Sequence, residues 1–367
     1  MSGTSVDGID AALVAIEENS TQLLATQAQP LSESVVKEIQ AISQPGENEI
    51  ERLGALDRKL GELFAQAALA VLETAQIPPT DVVAIGSHGQ TVRHRPASAG
   101  AAADESFTLQ IADPNTIAEL TGITTVADFR RRDIAAGGEG APLAPAFHAA
   151  CMGSPDHNRA IINIGGIANA TLLEGERLVQ GFDTGPGNTL LDAWSRKSND
   201  QPFDKDGVWS ASGAIVPALL TALLEDPFFA LDGIRSTGKE QFNLAWVERY
   251  FTDLPALSAA DVQATLCEFT AVSIYSAVQH SGIALDQVYL CGGGVHNRDL
   301  VARLQSHFDR IPVETTAALG INPDWVEAMA FAWLAARRMA SLPGNAPVVT
   351  GAAGERVLGG IYPGFAQ

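Results

Sequence analysis

Apolar residues recur at intervals of three and four from 48 to 74, at Ile50, Leu53, Leu56, Leu60, Leu63, Phe64, Ala67 and Val71. That spacing puts them on one face and predicts a long amphipathic helix, with Pro78-Pro79 closing the segment. Elsewhere the apolar positions come in short continuous runs of strand length: 9–16, 82–85, 108–111, 123–126, 160–164, 178–182 and 288–291. The last three are each stopped by glycines. Asp113 before Pro114 reads as a helix N-cap with proline at the first helical position. Further helices are predicted over 259–279, 298–306 and 325–339, and the alanine-rich 97–103 reads as a surface loop. Strands alternating with helices, with glycines at the strand ends, define an α/β protein whose sites sit at those ends.

A chain of 367 residues exceeds the size at which one core usually keeps growing, so two lobes are expected. The composition changes at Arg130-Arg131-Arg132 and Gly137-Gly138-Glu139-Gly140, which places the lobe boundary there. The first lobe is expected to span 1–128 with about 345–367, and the second 129–344. With 46% apolar and 18% charged residues the chain is globular rather than disordered. A net charge of −20 argues against nucleic acid and anionic membranes as partners. Small anions remain possible where glycine loops, helix N-termini, arginines or a metal hold them. Cys151, Cys267 and Cys291 are scattered, without zinc-ligand spacing, which fits a reducing cytosol. No leader and no membrane-length apolar run is present, so a cytoplasmic location is expected.

Two nucleotide motifs nearly appear. Gly233 to Glu240 has P-loop spacing, but Glu240 stands where a magnesium-binding Ser or Thr is required. Gly292-Gly293-Gly294 follows a strand, but Asn297 occupies the third glycine of a dinucleotide fingerprint. Other features point to a nucleotide all the same. Gly3-Thr4-Ser5-Val6-Asp7-Gly8-Ile9-Asp10 is a hydroxyl-rich turn whose amides and hydroxyls suit an anion, and Asp7 and Asp10 suit a hydrated divalent cation. Asn163, Gly165 and Gly166 lie in a predicted tight hairpin. Together with Gly292–Gly294 these loops suggest a nucleotide clamped between two lobes. Asp183, in Gly181-Phe182-Asp183-Thr184-Gly185-Pro186-Gly187-Asn188, is a strand-end carboxylate placed to take a proton from a nucleophile in line with a phosphoryl group. His94, His148 and His280 carry no ligand spacing and read as surface or satisfied core histidines.

MSGTSVDGID, SHGQT, GEGAPLAP, NIGGIAN, GFDTGPGN, CGGGVHN and VTGAAGERVLGGIYP, in that order, resemble the anhydro-N-acetylmuramic acid kinases. That family is similar to the wider superfamily of sugar kinases, actin and heat-shock chaperone ATPases. The resemblance implies a two-lobed actin-like, ribonuclease H-like fold with ATP and sugar in the interlobe cleft. It implies that ATP phosphorylates the six-oxygen of 1,6-anhydro-N-acetylmuramic acid while water opens the anhydro bridge, in cell-wall recycling. Asp183 matches the family's base, residues 3–10 and 163–169 its phosphate segments, and Gly292–Gly294 its adenosine side. His88, Gln90 and Thr91 are expected at the sugar, Arg130 at the lactyl carboxylate, and Glu327 either at the sugar or as an ordinary first-turn glutamate. ATP, magnesium and a homodimer through the second lobe are implied, with lobe rotation near residues 128–133. A same-fold kinase for another sugar or small acid, and a nucleotide-switched binding protein, remain open. Family members carry a short apolar strand immediately before the first motif; here Met1 stands where it should end, so a chain short at its N-terminus is expected.

Overall fold

The computed structural model describes all residues except 4–5, 7, 18–19, 101, 103, 232–236, 239–240, 252–253 and 366–367. The chain divides into two compact units: Met1–Phe147 with Trp325–Gln367, and His148–Asp324. The expected breaks near 128 and 344 both fall inside the first unit. The helix Val326–Met339 packs on the strand Ile85–Gly86 of this unit, and residues after 128 are held to it by Asp133, wholly buried on the short helix Arg131–Ile134. Its carboxylate accepts from Asn345 Nδ2 at 2.7 Å, Thr350 Oγ1 at 2.8 Å and the Gly140 amide at 2.9 Å, tying the glycine-rich stretch to the C-terminal tail.

In the first unit, β1 (Gly8–Glu17) and β2 (Ser20–Pro30) form an antiparallel pair. The predicted helix appears as Glu49–Ala75, its apolar face burying Leu56, Leu60, Phe64 and Val71. The apolar run 82–85 yields only a two-residue strand, β3 (Ile85–Gly86), because residues 79–81 form a single 3-10 turn and Val83 is exposed to solvent. Strands β4 (Gln90–Arg95) and β5 (Phe107–Ile111) pair antiparallel. Strand β6 (Thr125–Ala127) lies between β3 and the C-terminal strand Gly360–Tyr362. Asp113 caps the helix Pro114–Thr121 by accepting from the Asn115 and Thr116 amides, as the Asp-Pro pair predicts. The helix Val326–Met339 packs so closely on β3 that a Cβ at Gly86 would sit 2.1 Å from the Phe331 carbonyl oxygen. A mostly apolar cavity of about 610 Å³, open to solvent beside the exposed Val83 and Leu24, lies in this unit, lined by β1, the β3 segment and the two long helices, with Leu13, Val71, Ile85 and Ala332 among its walls.

The second unit carries one five-stranded sheet in the order β11-β10-β7-β8-β9. Here β7 is Arg159–Ile164, β8 Ile167–Glu174, β9 Arg177–Pro186, β10 Gln287–Cys291 and β11 Val313–Thr315. The helix Ala259–His280, apolar nearly all round, lies buried against it. β7, β10 and β11 run parallel, which brings the ends of β7 and β10 to one edge, Cys291 opposite Asn163.

His148, buried beside the Thr171 hydroxyl at 2.8 Å, is held by burial at a pKa of about 4. An unfolded chain would bind that proton near 6.5, so stability is complete above about 6.5 and is lost as pH falls towards 4, by up to roughly 3 kcal/mol. Urea unfolding of wild type and His148→Gln between neutral and mildly acid pH should show the variant losing less; equal losses would remove His148 as the cause.

Candidate functional site

In the second unit three glycine loops meet at the ends of parallel strands. The hairpin through Gly165-Gly166 forms as expected between β7 and β8. Its carbonyls receive the first amides of the helix Asn188–Asn199: Gly165 O from Asn188 at 2.8 Å, and Gly166 O from Gly187 at 2.9 Å and Thr189 at 3.1 Å. The hairpin therefore braces this helix N-terminus, a role not visible in the spacing. A Cβ at Gly187 would meet Gly165 O at 2.3 Å. Gly292, at φ +79°, would set a Cβ 2.3 Å from Asn163 Oδ1, and Gly294 would drive one into Ile164. These close approaches explain glycine at both places and draw Asn163, Gly165, Gly166 and Gly292–Gly294 into one patch.

Asp183 lies near the end of β9, opposite Asn169 and next to a β-bulge at Ala168/Asn169. Its Oδ2 accepts the Thr237 amide at 2.9 Å. The bulge re-aims the strand locally, which sets the carboxylate's direction.

The first unit holds a second constellation. Arg130 donates from Nε to His88 Nε2 at 3.1 Å and from Nη1 to Gly140 O at 2.8 Å, with Nη2 also 3.0 Å from His88 Nε2. His88 is buried at β4's entrance, after which Gly89 takes φ +71°. Burial foremost, then the Arg130 charge, holds the imidazole pKa well below 6.5. A neutral ring whose Nε2 accepts from Arg130 carries its proton on Nδ1. Arg130 is itself lowered to about 10 by burial, against the opposing pull of Glu327 and Asp133. Glu327 is pushed above the ordinary glutamate value by partial desolvation of its carboxylate, with Arg130 opposing and Asp10 adding. One turn on, Phe331 packs against His88 at 4.5 Å between centroids, the rings tilted by 41°. Glu327 nonetheless stays exposed on the first turn of the helix Val326–Met339, within electrostatic reach of Arg130 and Asp10.

Gln90 is buried and joins this group through Ser2, whose hydroxyl lies 2.7 Å from Gln90 Oε1 and 2.9 Å from Gly8 O. Nothing in the sequence marks Ser2, since a single hydroxyl beside Gly3 carries no spacing signal. Thr91 points the other way: its Oγ1 accepts from Gln110 Nε2 at 3.1 Å on β5. Strand alternation separates it from His88 and Gln90. Of the opening turn, Gly3 accepts the Val6 amide at 3.3 Å and Val6 takes φ 59°, a costly conformation for a β-branched residue. Ile9 is buried in the core and presents no side chain to a ligand. The Asp10 amide pairs with Met1 O at 2.8 Å, while Thr4, Ser5 and Asp7 lie outside the described residues. Among the described residues no three His, Cys, Asp or Glu side chains converge as a metal cage, and no single helix is long and apolar enough to cross a membrane.

Glycine loops at parallel strand ends are where α/β enzymes hold small anionic ligands, and a strand-end carboxylate beside them belongs to small-molecule group-transfer enzymes. A family model described as anhydro-N-acetylmuramic acid kinase matches residues 1–364. The chain belongs to that family. It is 50% identical over 367 residues to the anhydro-N-acetylmuramic acid kinase of Shewanella pealeana, covering 99% of this chain and 97% of that one. A relative of the same name from Saccharophagus degradans is 50% identical over 364 residues, with the same coverage. The ROK hexokinase from Thermus thermophilus aligns over 89% of this chain and 100% of its own at 13% identity and a TM-score of 0.35, a likeness too low to carry an argument.

Proposed function

We propose that the protein is an ATP-dependent kinase that hydrolytically opens 1,6-anhydro-N-acetylmuramic acid and phosphorylates its six-oxygen. The observation that carries this reading is family membership along 1–364, with Asp183 oriented at the edge where the glycine loops gather. Asp183 takes a proton from water as the water oxygen bonds the anomeric carbon. The bond from that carbon to the six-oxygen breaks, and the freed oxygen bonds the γ-phosphorus as ADP leaves. The products are N-acetylmuramic acid 6-phosphate, ADP and the proton taken by Asp183. Residues 163–166 and 292–294 are assigned to the nucleotide, with the opening turn at its phosphates. Magnesium, when bound, withdraws charge from those phosphates. Asp10 is the described carboxylate assigned to it, and the lack of a three-ligand cage among the described residues fits an ion held mainly by phosphates and water.

Arg130 and His88 are assigned to the sugar, the guanidinium facing the lactyl carboxylate, with Gln90 and Glu327 beside them. Thr91, turned towards Gln110, is assigned at most a backbone role. Arg130→Lys cannot serve His88 and Gly140 together and offer a fork to a carboxylate. Its KM for the muramic sugar should rise about 10- to 100-fold with KM for ATP unchanged. An equal rise in both constants would show a merely structural role.

The reading carries with it a cytoplasmic setting, in keeping with three cysteines that form no disulfide, and a homodimer. Its test is ADP release with and without 1,6-anhydro-N-acetylmuramic acid, in water carrying labelled oxygen. Sugar-dependent release with label at the anomeric carbon is expected. Release without label leaves a kinase that does not open the bridge, and sugar-independent turnover favours a nucleotide-switched binding protein.

A further inference from the structure

The segment from Gly233 to Glu240, which imitates a P-loop in sequence, has no phosphate role in the reading above; its described residues Thr237 and Gly238 lie beside Asp183 instead. The Thr237 amide donates to Asp183 Oδ2 at 2.9 Å across 54 positions of chain. Gly238 O in turn accepts the Gln241 and Phe242 amides, each at 3.2 Å, and the Thr237 hydroxyl reaches Gln241 Oε1 at 2.9 Å. Phe242 is fully buried, edge-on to Phe228 at 5.4 Å and Trp246 at 5.0 Å. Phe229, in the same aromatic group, packs against the Asp183 strand: a Cβ at Gly185, φ +139°, would lie 2.9 Å from its ring. Asp226 fixes this group by accepting from the Trp246 indole at 2.8 Å and the Phe228 amide at 3.1 Å. One aromatic cluster therefore holds both the carboxylate's strand and the amide that faces it.

We propose that Thr237 is a positioning residue for Asp183, its backbone N–H fixing one carboxylate oxygen and with it the direction in which the carboxylate meets the water it activates. This rests on Asp183 being the base. An amide aimed at a carboxylate favours the ionised form and removes a rotational freedom that the reaction would otherwise have to freeze. The effect belongs to the backbone, which predicts a specific pattern. Thr237→Pro, lacking the N–H, should lower kcat about tenfold and move the acidic limb of the kcat/KM profile up by about one pH unit. Thr237→Ala, which keeps the N–H, should leave that limb in place.

A proline that disturbs the fold would cloud the kinetics, so the second readout needs no variant at 237. In the ¹⁵N-labelled native protein the Thr237 amide resonance should titrate with an acidic group, and the titration should vanish in Asp183→Asn. An amide that does not titrate, or a Thr237→Pro enzyme of native melting temperature with an unmoved acidic limb, overturns the proposal. Full activity in Asp183→Asn would instead overturn the base assignment while leaving the amide titration intact, so the two failures are distinct.

Discussion

Asp183→Asn should lower sugar-dependent ADP release about a thousandfold, within the range by which a positioned general base accelerates proton transfer. The substitution keeps the shape of the side chain and an oxygen for the Thr237 amide to bond. It removes the ability to accept a proton. The strand pairing with Asn169 and the bulge beside it involve backbone only, so β9 should hold its place. ATP affinity and melting temperature should therefore stay at native values while kcat collapses, the signature of an interaction made only in the transition state. Single-turnover release of ADP, measured with sugar in excess, reads the chemical step directly. A variant retaining more than about a tenth of native kcat would exclude Asp183 as the base, since that loss lies below what general-base catalysis contributes.

Asp133→Ala should destabilise the first unit by about 3–5 kcal/mol, the cost of stripping a buried polar network of its centre. The side chain is wholly buried and accepts from Asn345, Thr350 and the Gly140 amide. Truncation leaves these donors facing a void that nearby glycines cannot fill. The effect should also travel to the sugar side, because Gly140 O receives Arg130 Nη1 at 2.8 Å. Denaturant unfolding should show an early transition in the variant, together with a raised KM for sugar. Asp133→Asn, retaining one acceptor oxygen, should fall between the two. Stability within about 1 kcal/mol of native in the alanine variant would mean that water replaces the carboxylate at little cost.

The long helices were legible because periodic apolar positions report burial directly, and Glu49–Ala75 and Ala259–His280 appear within two residues of expectation. Strand ends were legible for the same reason, through runs such as 160–164 cut by glycines. β2 is mostly polar and small residues along a largely solvated hairpin, which gives no apolar stripe, whereas the helix Glu33–Ile42 does carry one, at Val35, Val36, Ile39 and Ile42, and was legible though unread. The run 82–85 misled because apolar content alone cannot say that the preceding turn leaves only two residues to pair. The unit boundary was misplaced because Asp133 meets partners more than 200 positions away. Residue types and strand ends mark Asp183 in the second unit, and Arg130 and His88 in the first, as candidates. The contacts that orient them could not be read. Arg130 reaches His88 across 42 positions, and Thr237 acts through its backbone, which is the same for any residue but proline.

The cavity of about 610 Å³ beside β1 has a mechanical consequence. Its apolar walls are poorly wetted where they lie deepest, while the space opens to solvent beside the exposed Val83 and Leu24, and unfolding lets water reach all of it. Hydrostatic pressure favours whichever state takes up less room. Compression should therefore lower the stability of the first unit, where this space lies.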